Sequence, residues 1–277
     1  MRRIALALAA AALAAGVAAC GGSDDKTATA STPQDASRPL VVGASPVPHA
    51  EILDYIAKDL APKAGLKLQV KEFTDYVLPN TALVDHQLDA NYFQTPAYLA
   101  DQEKARGFKA VSIVGVHIEP LGLYSRKIED VASIPNGAQV AIPNDATNEA
   151  RALRLLAANG LITLTDNDSQ TATVRDIADN PKGLKFAEVE AAQTPRALDD
   201  ADLAVINGNY ALEAELTPAK DALALEQAEN NPNQNILVTL PGEQNDPRVK
   251  KLARLLTSPE VKQFIDDRYR GAVLPAF

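Results

Sequence analysis

Short aliphatic and β-branched runs alternate along this chain with stretches whose apolar residues recur at helical spacing. Residues 40–43 (Leu40-Val41-Val42-Gly43) are predicted as a first strand, ended by Ser45-Pro46-Val47-Pro48. Ile52, Leu53, Ile56 and Leu60 then mark one face of a helix. Residues 67–73 alternate polar and apolar, which predicts a second strand. A helix over 78–86, a short strand over 90–93 and a helix over 96–106 come next, followed by strand-like runs at 110–116 and 120–124.

The pattern then repeats in kind. Glu129-Asp130-Val131 reads as a helix start, 139–142 as a strand and 148–158 as a helix that places Leu153, Leu156 and Ala157 inward and stops at Asn159-Gly160. Residues 184–189, 203–206 and 236–240 supply further strands. Asp246-Pro247 and Ser258-Pro259 each pair an N-cap residue with proline at the first helical position, so two capped helices are expected near the end. Alternating strands and helices predict an α/β fold with mostly parallel sheets. Two crossovers would divide it into lobe 1 (39–124 and 215–277) and lobe 2 (125–214), leaving a cleft between them.

The beginning of the chain changes this picture. Arg2 and Arg3 precede an apolar run from Ile4 to about Ala15, and small residues lead to Cys20, the order of a secretory signal over 1–20. The run is shorter than the roughly 20 residues a membrane-spanning helix needs. Cys20 is the single cysteine, which leaves no internal disulfide and fits a lipidation site. Residues 21–38 hold Gly, Ser, Thr, Asp and Pro with no aliphatic side chain larger than Ala, and read as a flexible tether. Cleavage before Cys20 leaves 25 Lys and Arg against 36 Asp and Glu, a formal charge of −11. Such an acidic body without a basic cluster argues against nucleic acid and against a basic membrane-surface helix.

Catalytic signatures are missing from the sequence: it has no Gly-x-Ser-x-Gly elbow, phosphate loop or dinucleotide fingerprint. His49, His86 and His117 lack metal-ligand spacing, so neither a metal nor another cofactor is expected.

From about Leu40 to Phe277 the chain resembles methionine-binding lipoproteins of the NlpA/MetQ type. The resemblance is carried by SPVPHAEIL (45–53), FTDYVLPN (73–80), LDANYFQ (88–94), PNDATNEARAL (143–153), LKFAEVEAAQTPRALDD (184–200), AVINGNYAL (204–212) and YRGAVLPAF (269–277). It implies a two-lobed type II periplasmic-binding fold with no enzymatic activity. It also implies a lipid-anchored protein on the extracytoplasmic face, handing a small ligand to an ABC importer made of a permease and an ATPase.

An amino-acid ligand is a zwitterion, so its site must meet a carboxylate, an ammonium and a side chain. The resemblance places the carboxylate-binding arginine at Arg151, whose planar guanidinium suits bidentate pairing. Asn207, at a strand end, offers an amide that both donates and accepts, while Asn209 reads as the turn residue of Asn207-Gly208-Asn209. Glu190 matches an acidic family position that would complement the ammonium. Tyr76, Phe93 and Tyr98 are the aromatic candidates around the ligand side chain, since a thioether gains from aromatic faces. Thr95 departs from the family, which typically reads Phe-Gln-His-x-Pro-Tyr-Leu where this chain reads Phe93-Gln94-Thr95-Pro96-Ala97-Tyr98-Leu99. That exchange leaves open another small amino acid or a short peptide beside methionine, and the same fold also serves surface receptors or adhesins.

Overall fold

The structure, a computed structural model, describes residues 38–277. The expected signal with Cys20, and all of the expected tether but Arg38, lie outside the described residues. Thirteen strands are described: β1 (Leu40–Ala44), β2 (Leu68–Glu72), β3 (Ala90–Gln94), β4 (Val111–Ile118), β5 (Gly122–Tyr124), β6 (Gln139–Pro143), β7 (Thr163–Leu164), β8 (Ile177–Asp179), β9 (Lys185–Val189), β10 (Leu203–Ile206), β11 (Ala222–Leu225), β12 (Gln234–Thr239) and β13 (Leu274–Pro275).

The first sheet has the order β13-β4-β12-β3-β1-β2 and the second β11-β5-β10-β6-β9. Both are mixed rather than mostly parallel. β1 runs parallel to β2 and β3, but β12 lies antiparallel between β3 and β4. β6 runs parallel to β9 and β10, while β5 is antiparallel to β10 and β11. The antiparallel pairs arise because the chain leaves the first sheet along β4 and returns to it along β12.

The crossovers fall earlier and later than the sequence suggests. β5 and β11, expected in the first lobe, pair in the second sheet, so the chain crosses at 119–121 and returns at 226–233. The two segments touch: the Glu226 N–H donates to the Leu121 carbonyl at 2.8 Å, and the Leu121 N–H donates to the Glu226 carboxylate at 3.3 Å. The helix expected from Glu129 does not form. There the Asp130 carboxylate accepts from the Ser133 N–H at 2.8 Å, a local bond that closes a turn ahead of Pro135.

Each sheet has its own core. Leu40, Val42 and Ala44 of β1 are buried against Ile52, Leu53 and Ile56 of the helical run from Pro46 to Leu60, and against Val249, Leu252, Val261 and Ile265. The last four come from helices Pro247–Leu256 and Pro259–Tyr269, whose caps form as expected: Asp246 accepts from the Arg248 N–H and Ser258 from the Val261 N–H. Val140, Ile142 and Leu203 pack against Leu153 and Leu156 of helix Ala146–Ala158. At about 1.5–3 kcal/mol for each large aliphatic side chain removed from water, these two clusters hold the sheets and fix the strand ends that face one another.

Candidate ligand-binding site

A cleft pocket lies where those strand ends meet. The first sheet's side supplies Tyr76, Phe93, Gln94, Thr95, Tyr98 and Asn235; the second supplies Asn148, Arg151, Asn207, Gly208 and Asn209; Glu119 comes from the crossover.

The aromatic wall follows from β3 and the helix after it. Every residue of β3 is buried, and Phe93 and Gln94 end the strand at the cavity. Asn80, Asn91 and Gln94 satisfy one another through side-chain amide bonds of 2.8–2.9 Å, which fixes the strand end. Thr95 is the N-cap of helix Pro96–Arg106, accepting from the Tyr98 N–H at 3.3 Å with Pro96 in the first turn. Thr95 thus anchors the Tyr98 backbone as well as lining the cavity. The Tyr98 hydroxyl donates to the Tyr76 carbonyl at 2.8 Å. Tyr76, Phe93 and Tyr98 form a three-ring cluster with centroids 5.8–6.1 Å apart.

The polar wall is built on helix Ala146–Ala158. Its N-cap, Asp145, accepts from both the backbone and the side-chain N–H of Asn148. Asn148 so oriented accepts from the Asn207 side chain at 2.8 Å, and Asn207 Oδ1 is left buried without a protein partner. One turn along from Asn148, Arg151 is only 7% exposed. Its Nε and Nη2 hold the Glu226 carboxylate, and Nη2 also donates to the Glu119 carbonyl at 2.8 Å. Burial opposes the Arg151 charge, yet Glu226 overrides it and raises the pKa; Glu226 is correspondingly held below the usual carboxylate range. The fork edge expected to hold a ligand is therefore already filled, and Nη1 is the nitrogen without a protein hydrogen bond.

Asn207-Gly208-Asn209 is not a free turn. Asn207 stands at the N-cap position of the short helix Gly208–Glu213 without a side-chain capping bond, and Asn209 is buried in the cavity wall, accepting from the Tyr76 hydroxyl. Gly208 is required by proximity, since a Cβ there would stand 2.6 Å from Glu119 Cβ. Glu190 is not brought into this cavity. It lines a neighbouring depression with Val77, Leu78, Ala191 and Tyr210, which Tyr76 and Tyr98 border from the other side.

Glu119 is the acidic group of the cavity, and it is backed by two imidazoles. His117 Nε2 lies 2.6 Å from Glu119 Oε1, His49 Nε2 lies 3.4 Å from it, and Tyr92 hydrogen-bonds His117 Nδ1. His49 Nε2 also meets Asn235 Oδ1 at 3.0 Å. Burial pushes His49 down to about 4 and His117 down to about 3, and it pushes the Glu119 carboxyl up against the opposing pull of His49, when protonated, and of Arg151. Donor atoms of this trio fall within 4.8 Å of one another. Donors around a tetrahedral metal at about 2.0–2.1 Å stand about 3.3 Å apart, so the 2.6 Å His117–Glu119 contact is a hydrogen bond rather than a ligand pair. His86 sits apart, exposed, in a turn with positive φ.

Sequence reasoning missed Glu119, Asn148, Asn235 and Glu226. Asn148 carried a usable signal, lying three positions before Arg151 on one helix face. Glu226 and Asn235 carried none, because a loop of uncertain path separates them.

The NlpA lipoprotein family matches residues 40–277. The D-methionine-binding lipoprotein MetQ of Escherichia coli K12 is 43% identical over 227 residues, spanning 81% of this chain and 82% of its own. The methionine-binding lipoprotein MetQ of Bacillus subtilis is 38% identical over 94% of this chain and 93% of its own. Among solved structures, a nutrient binding protein from Burkholderia cenocepacia bound to methionine is 45% identical and superposes with a TM-score of 0.83, covering 86% of this chain and all of that one. Two lobes, a shared cleft and these matches agree: the chain belongs to the NlpA lipoprotein family.

Proposed function

We propose that this protein is a lipid-anchored, extracytoplasmic solute-binding protein that captures methionine between its lobes and delivers it to an ATP-driven importer. It is not an enzyme. The observation that carries the ligand class is the pairing, in one pocket, of a buried guanidinium and a buried carboxylate with an unsatisfied amide oxygen and a three-ring aromatic wall. A zwitterion with an apolar side chain matches that set. Its carboxylate meets Arg151 Nη1 and the Asn148 amide, its ammonium meets Asn207 Oδ1 and Glu119, and its thioether lies among Tyr76, Phe93 and Tyr98. Thr95 borders the ring wall with a small hydroxyl, and Glu190 serves the rim rather than the ligand.

The relatives' names and the methionine-bound neighbour support methionine over other apolar amino acids. Cys20 would carry the lipid, 21–38 would tether the body, and a permease with its ATPase would receive the closed form. A ligand favours closure only by its affinity difference between open and closed forms, and the crossovers at 119–121 and 226–233 are the segments that would flex.

Calorimetric titration with L-methionine of ligand-stripped protein lacking residues 1–20 tests the reading, with Arg151→Ala and a panel of other amino acids alongside. Saturable methionine binding that Arg151→Ala abolishes is expected. Absence of methionine binding by folded, ligand-free protein would refute the assignment.

A further inference from the structure

We propose that ligand capture is proton-linked: the ligand's ammonium group enters beside Glu119, and a proton held by the His49–Glu119–His117 cluster leaves for solvent. The inference rests on reading the cavity as an amino-acid site, and it adds a coupling that the site's ligand chemistry does not require.

The geometry gives the cluster room for an extra proton without new partners. Tyr92 bonds His117 Nδ1, and His117 Nε2 bonds Glu119 Oε1, in one buried line. With Glu119 ionised, the Tyr92 hydroxyl donates to Nδ1 and Nε2–H donates to the carboxylate. With one proton added on Oε2, Oε1 still accepts from His117 Nε2–H and the Tyr92 hydroxyl still donates to Nδ1, so no bond of the line is lost. Both protonation states keep these bonds, because a neutral carboxyl retains an accepting oxygen and a neutral imidazole has one donor and one acceptor. His49 Nε2 is tied to Asn235 Oδ1 and stands 3.4 Å from the same carboxylate oxygen.

Nothing else next to Glu119 neutralises it in the empty cavity as a ligand would. Arg151 pulls the Glu119 pKa down through space, but it bonds only the Glu119 carbonyl and spends its Nε–Nη2 edge on Glu226. Glu213, on the short helix after Asn207, adds like charge and is itself raised to about 7 by burial. The remaining groups that sense Glu119 are the phenols of Tyr76, Tyr92 and Tyr269, all neutral across the working range. The two imidazoles stay uncharged there as well, through burial. With Arg151 committed to Glu226, burial outweighs its attraction and favours the protonated form of the empty carboxylate, while an arriving ammonium favours the ionised one. The sign follows. Affinity is full above the empty-site pKa of Glu119 and falls as pH drops through it, the proton and the ammonium competing for one carboxylate.

The test is calorimetry of the full chain in neutral detergent with L-methionine, from about pH 8 down to about pH 5, a range in which methionine itself keeps both charges. Each pH is run in two buffers of unlike ionisation heat. Kd is expected to rise by up to about tenfold per pH unit on acidification, with buffer-dependent enthalpies that report proton release. Glu119→Gln should bind more weakly, with a flat pH profile and no buffer dependence. His117→Asn, which removes a donor to the ionised carboxylate, should move the midpoint of the profile to higher pH. Binding by the unmodified chain that is independent of pH and buffer would overturn the proposal. So would a profile that survives Glu119→Gln and vanishes in Glu213→Gln, or a midpoint unmoved by His117→Asn. Failure of methionine to bind at any pH would instead overturn the amino-acid reading and this coupling with it.

Discussion

Arg151 and Glu226 join the two crossover segments at the floor of the cavity. The guanidinium holds the Glu226 carboxylate through Nε and Nη2 and reaches across to the Glu119 carbonyl at 2.8 Å, so one side chain of the second lobe grips both strands that link the lobes. Its own helix is rooted in the second core through Leu153 and Leu156.

Removing the anion from this pair should be expensive. Glu226→Ala leaves a buried guanidinium uncompensated, and a loss of about 3 kcal/mol in unfolding free energy is expected, read as a lower urea midpoint. Glu226→Gln should retain part of it, since the amide oxygen still accepts. Equal stability of Glu226→Ala and the parent chain would show that the pair contributes nothing.

Asn207 Oδ1 is a buried acceptor with no protein donor, poised over the cavity. Asn207→Ala should weaken methionine binding by about tenfold, equivalent to about 1.4 kcal/mol, and should also cost about 1 kcal/mol of stability because Asn148 Oδ1 loses its donor. A titration that gives the parent affinity would remove Asn207 from the ligand's partners.

Gly208 fits because nothing projects from its Cα: a Cβ would lie 2.6 Å from Glu119 Cβ and 3.1 Å from its Oε2. Gly208→Ala must displace Glu119 or the short helix. A stability loss of about 1–3 kcal/mol is expected by denaturant unfolding, together with weaker methionine binding by calorimetry. Parent-like values in both measurements would mean that the segment yields freely.

Much of this arrangement could be read from the chain beforehand. Helix Pro96–Arg106 and strand Leu203–Ile206 fall where periodicity puts them, and the caps at Asp246 and Ser258 form as their Ser/Asp-Pro pairs suggest. Arg151, Asn207, Tyr76, Phe93, Thr95 and Tyr98 meet in one cavity, while Glu190 stands outside it. The sheet membership of β5 and β11 was not legible, because a three- or four-residue apolar run pairs equally well with either sheet until the crossovers are known. Glu119 was hidden for a related reason. Its two imidazole neighbours come from Pro46–Ala50 and from the end of β4, and Asn235 lies 186 positions from His49.

Acid should expose the buried imidazoles. His49 and His117 titrate at about 4 and about 3 in the fold, against 6.5 for an unhindered imidazole, because burial disfavours their charged form. The unfolded chain therefore binds protons that the folded one refuses, and their contribution to stability falls as pH drops below about 6.5, by up to about 1.4 kcal/mol per unit for each. Glu119, Glu149 and Glu213, raised by burial, act in the opposite direction and shallow the net slope. Urea midpoints measured from about pH 7 to about pH 4 should fall less steeply in His117→Asn than in the parent. Parallel slopes would contradict the assignment.

The placement of β12 between β3 and β4 bears on how the protein is made. The centre of the first sheet is filled by a strand synthesised only after the whole second lobe, so the sheet cannot close while that strand is still on the ribosome. A chain emerging in order keeps β3 and β4 without their common neighbour until Gln234 and the residues after it are added. Late closure of this kind would serve the export proposed above, because the segment that locks the first half is among the last to be delivered.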